Sequence, residues 1–248
     1  MIAAPVISLS IVSHGQSNLV AALLSDINSL SWNEKLPFEV IVTLNVPEDE
    51  SWLEQVFNFP LKIIRNESPK GFGTNHNSAH NASQGQYFAV VNPDIRLFDF
   101  QISPLINCLA NYGAGVCGPV VYGPEGALQD SARCFPSFGR LLLRKLFRQS
   151  SPDYLISSEV QQVDWLAGMF LLFPSDIYRA IRGFDESYFM YMEDVEICRL
   201  LQQRGFHVVW VTSVHVVHDA ARASRRSRQH MKWHLTSMLR YFFARSRK

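Results

Sequence analysis

No stretch of this sequence stays apolar for the roughly twenty residues that a membrane-spanning helix needs. The most apolar segment, Val163 to Pro174, is too short and carries Asp164. Cysteine is sparse: Cys108, Cys117, Cys134 and Cys198 include no Cys-x-x-Cys pair, and such scattered use fits a reduced cytosolic compartment. A secretory leader is not expected, because no basic region precedes the first apolar run and Pro5 and Ser8 interrupt it. An excess of one charge is missing too. The 23 Lys and Arg residues almost balance the 22 Asp and Glu, so the chain as a whole has no strong electrostatic preference. The dinucleotide fingerprint is also absent, since Gly71-Phe72-Gly73 lacks the third glycine. Core-forming material is plentiful instead. Hydrophobic residues make up 47% of 248 positions, enough for one large domain or two small ones.

Apolar runs alternate in kind along the chain. Val6 to Ser13, Phe38 to Leu44, Leu61 to Ile64, Tyr87 to Val91 and Gly115 to Tyr122 read as buried strands. Between them, Leu19 to Leu30 carries Leu19, Leu23, Leu24 and Ile27 at helical spacing. Pro47 to Phe57 reads as a helix with Trp52, Leu53 and Val56 inward, Thr74 to Ser83 as a helix, and Leu97 to Asn111 as a loop and helix. Further on, Val163 to Phe173 reads as one strand and Ser175 to Ile181 as a short helix capped by Ser175. Glu193 to Arg204 reads as a helix closed by Gly205. Val214 to Val217 follows His207 to Val211 as a separate strand, and His218 closes it. Strands alternating with helices predict an α/β fold with a mostly parallel, mixed sheet flanked by helices.

Several residues then stand out for chemistry. Pro93 cannot donate to a sheet ladder, so the strand ending at Val91 delivers Asp94 to the carboxyl edge of the sheet, where open α/β folds bind ligands. Asp94 either holds a hard cation there or caps the next helix. Gly71-Phe72-Gly73 opens a helix and either offers backbone N–H groups to a phosphate or makes a tight turn. Glu193 and Asp194 start a helix, where the macrodipole favours their ionised forms, so they serve either as helix-start residues or as catalysts. Arg133, Arg140, Arg144, Lys145 and Arg148 form a basic stretch without an acid between Ser131 and Ser151. It is either a solvated face or a surface for an anionic ligand. From Asp219 to Lys248 the chain is strongly basic and interleaved with Met231, Trp233, Leu235, Met238, Leu239 and Phe242. This tail reads as a basic helix that lies on an anionic membrane or docks on the domain. Nucleic acid is not expected as a partner, because no recognised motif accompanies the charge.

Taken in order, the motifs are Val12-Ser13, Asn45, Gly71-Phe72-Gly73 with Asn75 and Asn77, Asn92-Pro93-Asp94, and Gly118-Pro119. Gln129 to Arg133, Phe135-Pro136, Trp165 to Gly168, Gly183 to Glu186, Phe189 to Glu196 and Val216 to His218 complete the set. Their order and spacing resemble the inverting family 2 glycosyltransferases, in the rhamnosyltransferase-like branch that builds bacterial surface polysaccharides such as O-antigen. The resemblance covers about Val6 to His218, giving a single domain over 1–218 and a basic tail over 219–248.

The resemblance implies a GT-A type nucleotide-binding fold and transfer of a sugar, rhamnose from dTDP-rhamnose first, to a lipid-linked or polysaccharide acceptor. It implies Mg²⁺ or Mn²⁺ held by Asp94 and His218, and a catalytic base at Asp194 with Glu193 beside it. Donor contacts are implied at Ser13, Asn45, Gly71, Phe72, Asn75, Asn77, Asn92, Asp94, Arg133 and Gly168. The expected location is cytoplasmic, peripheral on the inner face of the cell membrane through the tail. The chain departs from its relatives at Leu44-Asn45, where many carry Asp-Asn, and at His14-Gly15, where an aromatic residue and Asn are usual. Those departures motivate a rival reading as a catalytically silent nucleotide-sugar or glycan-binding module. Retention of Asp94, Asp194 and His218 together speaks against it. A nucleotidyltransferase is a third reading, poorly matched by His14-Gly15-Gln16-Ser17.

Overall fold

The computed structural model describes residues 6–30, 36–137, 139, 152–219 and 228–243. The chain begins with β1 (Ile7–Ser13), α1 (Ser17–Ser29), β2 (Phe38–Leu44), β3 (Leu61–Arg65) and α2 (Phe72–Ala82). It continues through β4 (Tyr87–Val91), β5 (Ile95–Arg96), α3 (Ser103–Asn111), β6 (Ala114–Tyr122), β7 (Ala132–Arg133), β8 (Val160–Gln162) and β9 (Trp165–Leu166). It closes with β10 (Phe170–Pro174), α4 (Ser175–Ala180), α5 (Glu193–Gln203), β11 (His207–His218) and α6 (Arg228–Phe243).

The large sheet runs β3-β2-β1-β4-β10-β6-β11-β5, with β8 beside β11, and β7 pairs with β9 in a small second sheet. Strands β3, β2, β1 and β4 are mutually parallel. Two antiparallel pairings, β4 with β10 and β10 with β6, return β6 to the direction of β4, and β11 runs parallel to β6. The ends of β4 and β11 therefore meet at one edge of the sheet, together with the start of β10. This topology, and not any local sequence signal, brings Asp94, Gly168 and His218 to one place.

Alternation along β1 shows how the layers form. Ile7, Leu9 and Ile11 enter one core with Val20, Leu23, Leu24 and Ile27 of α1 and Leu105 of α3. Positions 20, 23, 24 and 27 share one stripe of a 3.6-residue helix, which is why this segment is helical against the sheet. Ser8 and Ser10 point to the other face, where burial of a hydroxyl is tolerable only with a partner. Ser8 Oγ donates to Glu39 at 2.7 Å and Ser10 Oγ lies 2.8 Å from His76 Nδ1 of α2. The second core holds Phe88, Phe173, Tyr178 and Phe184 with the apolar side of α5. Each such buried aromatic side chain contributes about 1.5–3 kcal/mol of burial.

Several expectations change. The segment from Pro47 to Phe57 holds only a single 3-10 turn, Ser51–Glu54; Trp52 is buried, but Val56 is 90% exposed. The Val163 to Phe173 run is two strands in two sheets, broken at Ala167–Met169, because Gly168 and its neighbours turn toward the site. Ser175 does not cap α4: its Oγ donates to Gly85 O at 2.6 Å, and Pro174 occupies the cap position. His207 to His218 is one strand, with extra residues between Val211 and His215 relative to β6. Phe72 and Gly73 belong to α2 rather than to a loop. Of the basic stretch, Arg140, Arg144, Lys145 and Arg148 lie outside the described residues, as do Arg222, Arg225, Arg226, Arg245, Arg247 and Lys248.

Candidate active site

A cavity of about 1090 Å³ opens at the sheet edge where β1, β4 and β11 end. Asn45, Phe72, Asn75, Asn92, Asp94, Arg133, Gly168, Glu193, Asp194 and His218 all line it. Ser13, Gly71 and Asn77 do not, and each has a local reason.

Ser13 is fully buried and donates to the Glu48 carboxylate at 2.7 Å, while Gly15 N–H donates to the same carboxylate at 2.7 Å. Ser13 thus shapes the turn after β1 and has no hydroxyl proton left for a ligand. Gly71 is required for close approach: a Cβ there would lie 2.8 Å from Phe189 O. The adjacent Phe72 N–H already donates to Phe189 O at 2.9 Å, so this helix start holds the 189 segment and offers no free N–H of Phe72 to a phosphate. Asn77 spends both ends of its amide away from the cavity. Its Oδ1 accepts from Tyr178 Oη at 2.7 Å and Phe184 N at 3.0 Å, and its Nδ2 donates to Phe184 O and Glu186 Oε1. It pins the turn at Gly183, whose φ of +61° suits glycine.

Asn45 and Asn75 line the cavity as parts of one network. Asn45 Oδ1 accepts from Lys70 N at 2.8 Å and Asn66 Nδ2 at 2.9 Å, and its Nδ2 donates to Lys70 O at 3.0 Å. Asn75 accepts from Asn66 at 2.7 Å. Together they clamp the backbone at Lys70, whose residue also faces the cavity.

Asp94 and His218 sit in contact, Oδ2 to Nε2 at 3.1 Å. Gln129 orients the imidazole: its Nε2 donates to His218 O, which turns its Oε1 toward His218 Nδ1 at 2.7 Å. This leaves Nε2 facing the Asp94 carboxylate, the orientation in which a ring nitrogen and a carboxylate can share a cation. Asp94 Oδ1 is buried without a hydrogen-bond partner. A divalent cation fits this donor set: one imidazole nitrogen, one carboxylate, and a second-shell amide that orients the ring. Among the described residues no group of three or more His, Cys, Asp and Glu gathers. Two protein ligands leave most of the coordination sphere for a ligand's oxygens.

Asp194 and Glu193 begin α5 in the cavity wall. Asp194 Oδ2 accepts from Gly168 N at 3.1 Å and Oδ1 from Val195 N at 2.9 Å. Burial raises its pKa, while these N–H groups and the nearby Arg133 guanidinium hold it down. Glu193 is only 5% exposed, and its Oε2 has no partner. Burial first, and the Asp194 charge second, push its pKa up to about 8. The helix dipole therefore does not keep both carboxyls ionised, as the helix-start position predicts; desolvation wins at Glu193. Burial lifts both carboxyls, Glu193 to about 8, and the backbone N–H groups and Arg133 that oppose the rise at Asp194 make it the better placed of the two to carry the charge. Arg133 is oriented by Asp130 at 2.9 Å and by the Trp165 ring at 5.4 Å.

One wall of the cavity comes from the tail. His230, Trp233, His234 and Met238 of α6 line it. Trp233 packs on Phe189 with ring centroids 4.7 Å apart, and Tyr191 Oη lies 2.8 Å from His230 Nδ1. Sequence reasoning set the tail apart from the site; the signal was present in its aromatic residues, but their partners are some forty positions away. Gln129 stands in the Gln129 to Arg133 motif without an assigned role, and nothing local distinguishes Glu48.

The profile described as Glycosyl transferase family 2 matches residues 8–157, more than half of the chain. The N-acetylglucosaminyl-diphospho-decaprenol L-rhamnosyltransferase of Mycobacterium tuberculosis (strain ATCC 25618 / H37Rv) is 28% identical over 220 residues, 80% of this chain and 72% of that protein. Rhamnosyltransferase WbbL of Escherichia coli (strain K12) is 27% identical over 245 residues, 93% of this chain and 90% of that protein. Among solved structures, GalNAc-T7 with UDP, GalNAc and Mn²⁺ superposes with a TM-score of 0.64 at 16% identity, over 87% of this chain but only 44% of that one. The mannosyltransferase PcManGT from Pyrobaculum calidifontis, in complex with GDP-Man and Mn²⁺, gives 0.64 at 15% identity, over 99% of this chain and 66% of that one. Both are GT-A glycosyltransferases, and at these identities the likeness establishes the fold.

Proposed function

The chain belongs to glycosyl transferase family 2, and from that membership and the cavity's two carboxylate stations we propose a metal-dependent, inverting sugar transfer with assigned residues. The donor is a nucleotide-sugar, dTDP-rhamnose first, and the acceptor is a hydroxyl on a lipid-linked or polysaccharide chain. The relatives' names, one of them an N-acetylglucosaminyl-diphospho-decaprenol rhamnosyltransferase, support a rhamnosyl donor and a lipid-linked acceptor.

The observation that carries the reading is the pairing of Asp94, with its orphaned Oδ1 beside His218, and Asp194, held by the Gly168 and Val195 N–H groups beside the buried Glu193, in one cavity. Asp94 and His218 would hold Mg²⁺ or Mn²⁺, which when bound would supply positive charge to a diphosphate leaving group. Asp194 takes the proton of the acceptor hydroxyl while that oxygen attacks the anomeric carbon. The bond from that carbon to the diphosphate oxygen breaks, and its electron pair leaves with the nucleoside diphosphate. Gly168 N–H and Arg133 oppose the rise that burial imposes on the Asp194 pKa and so favour its anion for this task. The clamp at Lys70 made by Asn45 and Asn75 shapes the donor side, with Phe72 and Asn92 beside it.

Residues 1–218 carry the assigned catalytic and donor residues in this reading, and 219–248, whose helix α6 walls the cavity, attach the domain to the inner face of the cytoplasmic membrane where lipid-linked acceptors sit. No helix among the described residues is long and apolar enough to cross a membrane. The test is transfer from dTDP-rhamnose with Mn²⁺ and with EDTA, using wild type and Asp194→Asn. Metal-dependent turnover that Asp194→Asn abolishes supports the assignment. Tight donor binding with no turnover on any acceptor makes the chain a silent sugar-nucleotide module instead.

A further inference from the structure

Helix α6 has two working faces. The inner face braces residues 189–191: Trp233 against Phe189, His230 with Tyr191 Oη, and Ser237 Oγ donating to Met190 O at 2.8 Å. That segment is strained, because Tyr191 and Met192 both have left-handed φ angles, +72° and +70°, without being glycine. It leads directly into Glu193 and Asp194, so α6 helps hold the backbone that presents the carboxylates.

The outer face is apolar where it should be polar. Met231, Leu235 and Leu239 follow at intervals of four and are 69%, 58% and 52% exposed. Side chains at this spacing stand in one row on a helix, here about 12 Å long. Lys232 and Arg240 are exposed on the same helix, and no acidic residue occurs from Arg228 to Phe243. The flanking sequence adds Arg222, Arg225 and Arg226 before the helix and Arg245, Arg247 and Lys248 after it. An apolar row flanked by cations alone complements an anionic lipid surface, into which the row inserts while the cations meet headgroups.

We propose that the outer face of α6 lies on an anionic bilayer, and that this contact passes through the inner face to steady the strained 189–192 segment. The acceptor's placement over Asp194 rests on the transferase reading; the docking and the steadying do not. Helix α6 is then both wall of the cavity and membrane anchor, which orients the opening toward an acceptor held in the bilayer.

Full-length protein is floated with phosphatidylcholine vesicles, with and without phosphatidylglycerol, beside a Met231→Ser, Leu235→Ser, Leu239→Ser variant. Wild type should float only with the anionic vesicles, and the variant should bind about tenfold or more weakly with an unchanged melting temperature. Amide hydrogen exchange at residues 189–192 should slow on vesicle addition in wild type and not in the variant. Equal flotation of both proteins, or flotation with neutral vesicles alone, overturns the docking. Binding without slowed exchange overturns the steadying. A dimer in sedimentation that the variant dissolves, with no vesicle binding, assigns the row to a second copy and overturns the proposal. None of these readouts requires turnover, so a failed transfer assay would count against the transferase reading alone.

Discussion

Replacing Glu193 with glutamine should stabilise the protein at neutral pH. The folded state holds the Glu193 carboxyl at a pKa of about 8, against an ordinary value of 4.5. Between those values the unfolded chain has released the proton and the folded chain still binds it. Stability is therefore complete below about pH 4.5 and falls as pH rises toward 8, at roughly 1.4 kcal/mol per pH unit. By pH 7 the loss is about 3 kcal/mol. Glutamine matches the neutral acid in shape and does not ionise in either state. The variant should thus be up to about 3 kcal/mol more stable at pH 7, which for a chain of this size is a rise of roughly 6–12 °C in melting temperature. Denaturant titrations of both proteins from pH 5 to pH 8.5 measure the difference directly. It should grow with pH, from under about 1 kcal/mol at pH 5. A difference that stays flat across the range, or a variant less stable at pH 7.5, would refute the protonated state of Glu193 and with it the division of labour between the two carboxyls.

Asp194→Asn should cut kcat by about 10²–10⁴-fold while Glu193→Gln retains most activity, measured by nucleoside diphosphate release with a saturating acceptor. Asp94→Asn and His218→Ala should each weaken Mn²⁺ binding in calorimetry and raise the Mn²⁺ concentration needed for turnover; unchanged metal dependence in both would move the metal elsewhere. Asn77→Ala should lower stability by about 1–3 kcal/mol through the unpaired Phe184 backbone and leave donor KM unchanged, whereas a raised donor KM would restore it to the donor site. Trp233→Ala should raise acceptor KM more than donor KM, read from initial rates with each substrate varied.

The strand after β3 and the turn that ends it were legible for a plain reason. Tyr87 to Val91 is a continuous apolar run stopped by Pro93, so the position of Asp94 at a sheet edge follows from local chemistry. The helix from Glu193 was legible from its spacing and from Gly205, which takes the positive φ of +85° that a helix C-terminus uses. Ser13, Gly71 and Asn77 stand outside the cavity lining, because a residue's type and its place in a motif do not say which way its side chain points. Asn77 has the chemistry of a sugar ligand, yet Tyr178 and Phe184, about a hundred positions on, consume it. The partners that let Ser8 and Ser10 of the buried first strand stay inside, Glu39 and His76, likewise come from distant segments.

What the sequence determined by itself is the alternation of buried strands and amphipathic helices and the family's ordered motifs, because burial pattern, glycine and proline act over a few residues. What only the tertiary structure decided is the state of the site. The return of β11 beside β6 sets His218 against Asp94, and Gln129, far from both, selects the imidazole nitrogen that faces it. Burial overrides the helix dipole at Glu193 and lifts its pKa to about 8. Desolvation and tautomer depend on everything packed around a group, and that packing exists only once distant segments have met.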